Sequence, residues 1–223
     1  MARIELWNGD ICDLEVDAIV SPAATSLWMS TGIAGEIKRA GGDAVEFAAL
    51  RQAPVALGDA IVTPAGNLAA RVIIHAVSLE RDRRTNGQAI DQAARNAMAR
   101  ARELNLGSIA FPALGTGIGG FPLEEAARIA VSAVRDELPA SPSIEHVIFA
   151  LRGAAAYEAF ARALSDGEPA PSRPLVQPES WQSVGPGHAA GVGAEPVARE
   201  SVAAEPLAAD QDQPIDHPDE AAS

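Results

Sequence analysis

Between Thr85 and Leu104 the residues Ile90, Ala93, Ala94, Ala97, Met98, Ala101 and Leu104 recur at i, i+3, i+4 and i+7, the period of an amphipathic helix. The flanking segments follow a different rule. Arg3 to Trp7 alternates as a short strand and Val16 to Val20 reads as a buried one, while Asp59 to Thr63, Arg71 to Val77, Ser108 to Phe111 and Ile144 to Leu151 are rich in β-formers. Further helices are predicted over Ile33 to Ala40, Leu123 to Leu138 and Ala154 to Leu164, and Asp43 with Glu46 forms a capping-box start for one running to about Gln52. Strands interleaved with helices imply a central, mainly parallel sheet covered on both faces, so the expected fold class is α/β.

Charge divides the chain. Residues 1–164 carry 15 Lys and Arg against 19 Asp and Glu, whereas residues 165–223 carry 2 against 11 and hold nine of the sixteen prolines. The second segment has too little apolar surface to offset the entropy of ordering it, so it is expected to be a disordered acidic tail behind one domain. A lone Cys12 excludes an internal disulfide framework, and no run of about 18 apolar residues is present, so no membrane partner is expected and the cytoplasm is the expected location. Without a basic stripe, a nucleic-acid partner lacks its usual electrostatic source. His75 lies in an apolar strand, and His146, His188 and His217 make no ligand spacing with Cys12, so no metal or other cofactor is expected. Arg95, Arg100 and Arg102 read as a solvated helix face.

The stretch Phe111-Pro-Ala-Leu-Gly-Thr-Gly-Ile-Gly-Gly-Phe-Pro122 follows a strand and leads into a helix. Its four glycines are suited to positive φ angles and to close approach of backbone N–H groups to phosphate oxygens, although a tight turn without a ligand fits the same residues. The spacing Gly115-x-Gly117-x-x-Gly120 also matches a dinucleotide fingerprint. Such a fingerprint opens a series of βαβ units, and here only one more strand and helix follow the helix it leads into, which argues against that reading.

Several motifs agree in order and spacing. Gly9-Asp10-Ile11, Asp17-Ala-Ile-Val20, Leu27-Trp-Met29, Gly32-Ile-Ala-Gly35, Val62-Thr63, His75-Ala-Val77 and the glycine loop together resemble the macrodomain family over about residues 3–164. The resemblance implies a three-layer α/β/α sandwich with a mixed sheet and a partner that is ADP-ribose or an ADP-ribosylated protein. It makes Asp10 the acceptor for the adenine amino group, with the Ile11 N–H beside it, and has Gly32, Ile33 and Ala34 clamp the diphosphate against Gly115, Thr116, Gly117, Ile118 and Gly119. Arg152 takes the place where many members stack an aromatic on adenine.

The chain departs from the family at the segment that is Asn-Ala-Ala-Asn in active members and Ser21-Pro22-Ala23-Ala24 here. Both carboxamides are missing, and Ser21 replaces the first only in part. Ala34 stands where one hydrolytic subclass has an Asp, and Lys38, the lone lysine, falls on a helix face expected to be solvated. No catalytic residue is assigned. The first expectation is a binding module for ADP-ribose or a related adenine nucleotide diphosphate; the alternatives are a hydrolase of ADP-ribosyl adducts or O-acetyl-ADP-ribose, and a degenerate scaffold whose acidic tail recruits a protein partner.

Overall fold

The computed structural model describes residues 2–166. In chain order these form β1 (Arg3–Asn8), β2 (Ala18–Ala24), α1 (Gly32–Gly41), α2 (Asp43–Leu50), β3 (Ala60–Pro64), β4 (Val72–Leu79), α3 (Gly87–Glu103), β5 (Ser108–Phe111), α4 (Leu123–Glu137), β6 (His146–Leu151) and α5 (Ala154–Ser165), with short 3-10 turns at Ile11–Asp13 and Leu138–Ala140. The strands make one sheet in the order β1-β6-β5-β2-β4-β3. Every neighbouring pair is parallel except β3 with β4. The expected mixed, mainly parallel sheet is therefore what the chain forms. The expected acidic tail lies outside the described residues, apart from Ser165 and Asp166.

Alternation along the strands sorts side chains onto two faces. Ala18, Val20, Ile109 and Phe111 pack with α3, α4 and α5 in the larger core, whereas Ile19, Ile73 and Ala110 pack with Ile37 of α1 and Val45 of α2 on the other face. Within the larger core the Phe149 ring lies 5.9 Å from Phe111 and 4.9 Å from Phe160, centroid to centroid, tying β5, β6 and α5 together.

Several local expectations need correction. The second strand starts at Ala18 rather than Val16 and runs on to Ala24, because its pairing with β4 continues through that residue. Asp17 is instead an anchor for the start of β5: its carboxylate accepts the N–H groups of Gly107 at 2.8 Å and Ser108 at 3.1 Å. The capping box does not form. Gly42 is the N-cap of α2, and Glu46 turns inward, where it is buried and accepts from the Met29 N–H at 2.9 Å and from Lys38 Nζ at 2.5 Å. Lys38 is thus committed to Glu46, with Asp43 at 3.5 Å, rather than being a free cation on a solvated face. Arg95 and Arg102 likewise cross to α4: Arg95 bonds Asp91 on its own helix at 3.0 Å and Asp136 at 2.8 Å, and Arg102 bonds Glu137 at 3.4 Å.

His75 is fully buried and its Nε2 lies 2.8 Å from Thr63 Oγ1 on the adjacent strand, which agrees with a core histidine. No group of three or more metal-ligating side chains occurs among the described residues. Burial holds the imidazole neutral, with its pKa lowered to about 4 from 6.5.

Two outcomes follow from these buried polar groups. Glu46→Ala leaves the Met29 N–H without its acceptor and should reduce unfolding free energy by about 1–3 kcal/mol, measured by urea titration. Between pH 6.5 and about 4 the unfolded chain binds a proton at position 75 that the folded chain rejects. Stability therefore rises with pH across this window, and acidification from pH 7 to 4 costs on the order of 3 kcal/mol from this residue. Urea titrations at several pH values should give a flatter profile for His75→Gln; parallel profiles would count against the assignment.

Candidate functional site

A parallel sheet brings the carboxyl ends of its strands to one edge, and a cleft of about 310 Å³ opens there. Its walls come from the loops after β1, β2, β4, β5 and β6 and from the first turns of α1 and α5. Ten of the twelve site residues expected from sequence line it: Ile11, Gly32, Ile33, Ala34, Gly115, Thr116, Gly117, Ile118, Gly119 and Arg152. Asp10 sits beside the lining, next to Gly9 and Ile11, and is joined to it through Arg152. Ser21 is outside the lining, fully buried in β2, and its Oγ has no hydrogen-bond partner among the described residues.

Two sets of backbone donors border the cleft. The first backbone bond of α1 runs from the Gly35 N–H to the Thr31 carbonyl at 3.2 Å, and Thr31 makes no side-chain cap. The N–H groups of Gly32, Ile33 and Ala34 are consequently left over, as at any uncapped helix start. Opposite them, no described residue accepts the N–H of Thr116, Gly117, Ile118 or Gly119. The loop holds its shape through other bonds: Thr116 Oγ1 to the Ala113 carbonyl at 2.9 Å, Gly120 N–H to Gly117, and Phe121 N–H to Gly115, both at 3.1 Å. The two sets are close, since a Cβ built on Gly32 would lie 3.7 Å from Ile118 Cδ1. Unpaired N–H groups at a helix N-terminus and in a facing loop favour an anion.

The loop glycines differ in what they do. Of the four, Gly115 and Gly120 take up the positive φ that glycine permits, at 77° and 61°. A Cβ on Gly119 would come within 2.6 Å of the Gly115 carbonyl, so packing excludes a side chain there, whereas a Cβ on Gly117 meets nothing within 4 Å.

At the β1–β6 end the side chains form a charge relay. Asp10 Oδ1 accepts the Cys12 N–H at 2.9 Å and caps the 3-10 turn; its Oδ2 accepts from Arg152 Nη2 at 2.6 Å. The other arm of Arg152 donates to Glu36 Oε1 on α1 at 2.7 Å. Partial burial works to raise the Asp10 pKa, but the Cys12 N–H and Arg152 outweigh it, and the carboxyl ends below its usual range. Burial, with Asp10 adding to it, pushes the Cys12 thiol up to about 12, so it is inert as a nucleophile.

At the far end of the cleft, formed by Ser26, Trp28, Leu79, Arg81 and Arg83, the sequence motifs mark only Trp28. Trp28 is 63% exposed, so it does not join the core as Met29 does at 2%. The β4–α3 loop has no periodicity to mark it, and it reaches the cleft only because β4 lies beside β2 in the sheet. Glu36 was also missed, because its role depends on a residue 116 positions away.

The Macro domain family matches residues 20–130. A macro domain-containing protein of Caldanaerobacter subterraneus is 39% identical over 170 residues, covering 74% of this chain and 97% of that protein. An O-acetyl-ADP-ribose deacetylase of Salmonella newport is 37% identical over 154 residues, covering 66% and 86%. An uncharacterised protein of Mycobacterium tuberculosis is 42% identical over 168 residues, but the chain spans only 46% of its length. Among solved structures, an Oceanobacillus iheyensis macrodomain variant with ADPR superposes with a TM-score of 0.67 at 27% identity, covering 73% of this chain and 92% of that one. The fold and these relatives define the class, and the chain belongs to the macro domain family.

The contrast between two neighbouring glycines is measurable by thermal unfolding. Gly119→Val should lower Tm by several degrees or prevent folding, while Gly117→Leu should change stability by no more than about 0.5 kcal/mol. Equal losses for both would mean that the loop is packed differently.

Proposed function

We propose that this domain is a recognition module that binds ADP-ribose, or a related adenine nucleotide diphosphate, in the cleft at the carboxyl edge of the sheet. The observation that carries this reading is the pair of facing backbone segments, Gly32 to Ala34 and Thr116 to Gly119, whose N–H groups have no acceptor among the described residues. A diphosphate between them supplies the missing acceptors without requiring a lysine. Asp10, ionised across the neutral range, has lone pairs left after its bonds to Cys12 and Arg152, and can accept from an adenine amino group that guanine lacks at that position. Arg152, 47% exposed at its side chain, offers a guanidinium plane on which a base can stack.

The name of the Salmonella relative favours a second reading, hydrolysis of an ADP-ribosyl ester. Chemistry supports it less well. The cleft lining includes no Asp, Glu, His or Cys, so a water there would have to be oriented by the bound diphosphate itself rather than by a general base. No helix among the described residues is long and apolar enough to cross a membrane, and a cytoplasmic location fits this together with the lone Cys12. Capture of an ADP-ribosylated protein follows from the same pocket, while recruitment of a partner through residues 165–223 falls outside the described residues.

Calorimetry on the full chain should give micromolar ADP-ribose binding and a preference for ADP over GDP. Asp10→Ala should weaken ADP-ribose roughly ten- to a hundredfold and erase the base preference, since it removes a charge-assisted hydrogen bond. Gly117→Leu, folded normally, should abolish binding by filling the space between the two backbone segments. Undiminished affinity in both variants would sink the proposal.

A further inference from the structure

The cleft carries three arginines on its lining and no acidic residue, although the domain as a whole has more acidic than basic side chains. One of the three, Arg152, is paired by Asp10 and Glu36. The other two, Arg81 and Arg83, are exposed and make no ion pair among the described residues. The acidic residue between them is spent locally: Asp82 accepts from the Arg84 N–H at 3.1 Å and from Arg84 Nε at 2.5 Å. The turn that carries them is braced at its base, with Glu80 N–H to the Arg84 carbonyl at 2.8 Å, Arg83 N–H to the Glu80 carbonyl at 2.9 Å, and Thr85 Oγ1 to the Ser78 carbonyl at 2.6 Å.

Sheet order fixes where this pair stands. Arg152 follows β6 and Arg81 follows β4, and β5 and β2 lie between them. At about 4.8 Å per strand the two ends of the cleft are roughly 14 Å apart. With adenine at Asp10 and the diphosphate between the two backbone segments, the remaining ribose, through which an ADP-ribosyl group is joined to its acceptor, points to the Arg81, Arg83 and Trp28 end. That end is open, since Trp28 is 63% exposed.

The geometry points to Arg81 and Arg83 as a specificity element that selects ADP-ribosyl groups carried on acidic peptide segments, with Asp or Glu side chains flanking the modified residue and the peptide lying against Trp28. This rests on the ADP-ribose reading of the cleft. Charge complementarity is the argument: two guanidinium groups without a carboxylate partner among the described residues, at the end of the cleft away from Asp10 and Glu36, meet a carboxylate-rich acceptor.

The test uses the full chain and two synthetic ADP-ribosylated peptides that differ only in flanking Glu or Gln, with free ADP-ribose as the third ligand. Fluorescence polarisation at low salt should show the Glu-flanked peptide binding roughly three- to tenfold more tightly, as expected for two exposed ion pairs, and the advantage should shrink as salt is added. In the double variant Arg81→Gln, Arg83→Gln the advantage should disappear while free ADP-ribose binds as before. Equal affinity of the two peptides for the unaltered chain overturns the inference, as does an advantage that survives in the double variant. Free ADP-ribose weakened by the same factor would assign the arginines to the nucleotide, and free ADP-ribose strengthened would assign them to the chain's own acidic residues; either also overturns it. Absence of any binding by free ADP-ribose to the unaltered chain is a different failure, because it removes the functional reading itself.

Discussion

The feature on which the rest depends is a set of backbone N–H groups that the fold leaves without acceptors. Burying or crowding such groups is unfavourable unless something satisfies them, so a chain that keeps seven of them around one cleft either solvates them or binds an anion there. The parallel sheet makes this possible, because its strands all end at the same edge, and the loops after β2 and β5 lie side by side once β2 and β5 are paired. Residues 24–34 and 112–122 are far apart in sequence, and their apposition is a property of strand order rather than of either segment.

Much of this architecture was legible beforehand. Strand and helix periods alone implied a covered, mainly parallel sheet, because crossover connections are the way to join parallel neighbours. Motifs clustered at strand ends marked ten residues that line the cleft. What could not be read was anything decided by a distant partner. Glu46 looked like a capping residue because Asp43 precedes it by three positions, yet the Met29 N–H and Lys38 ammonium draw it inward. Lys38 looked solvated because a helix face says nothing about the neighbouring helix. Arg81 and Arg83 sit in a polar turn whose relation to the cleft comes only from β4 being adjacent to β2.

The charge arrangement at the two ends of the cleft is asymmetric in a way that orients a ligand. At the β6 end the guanidinium of Arg152 faces two carboxylates, so that end carries a net negative charge along with its hydrogen-bonding direction. At the β4 end two arginines have no balancing partner among the described residues. A ligand with a neutral base at one terminus and an anionic carrier at the other fits one way round and not the other, since reversal would set the anionic part against Asp10 and Glu36.

The same arrangement bears on what the cleft can offer a bound diphosphate. Backbone N–H groups stabilise charge already present on a diphosphate in the ground state, and an interaction that is equally strong before and during a reaction contributes affinity rather than rate. Acceleration would need a group that gains strength as a bond breaks, and where the family resemblance implies two carboxamides this chain has Ser21 and Ala24, the first of which is fully buried. Burial of the Ser21 Oγ and the raised pKa of Cys12 remove those two groups as nucleophiles, and the hydroxyls that do line the cleft, on Ser26, Ser30, Thr31 and Thr116, share the lining with no His, Asp or Glu. The donors retained around the cleft are thus suited to the recognition proposed above, because they hold an anion by groups that the fold keeps in place.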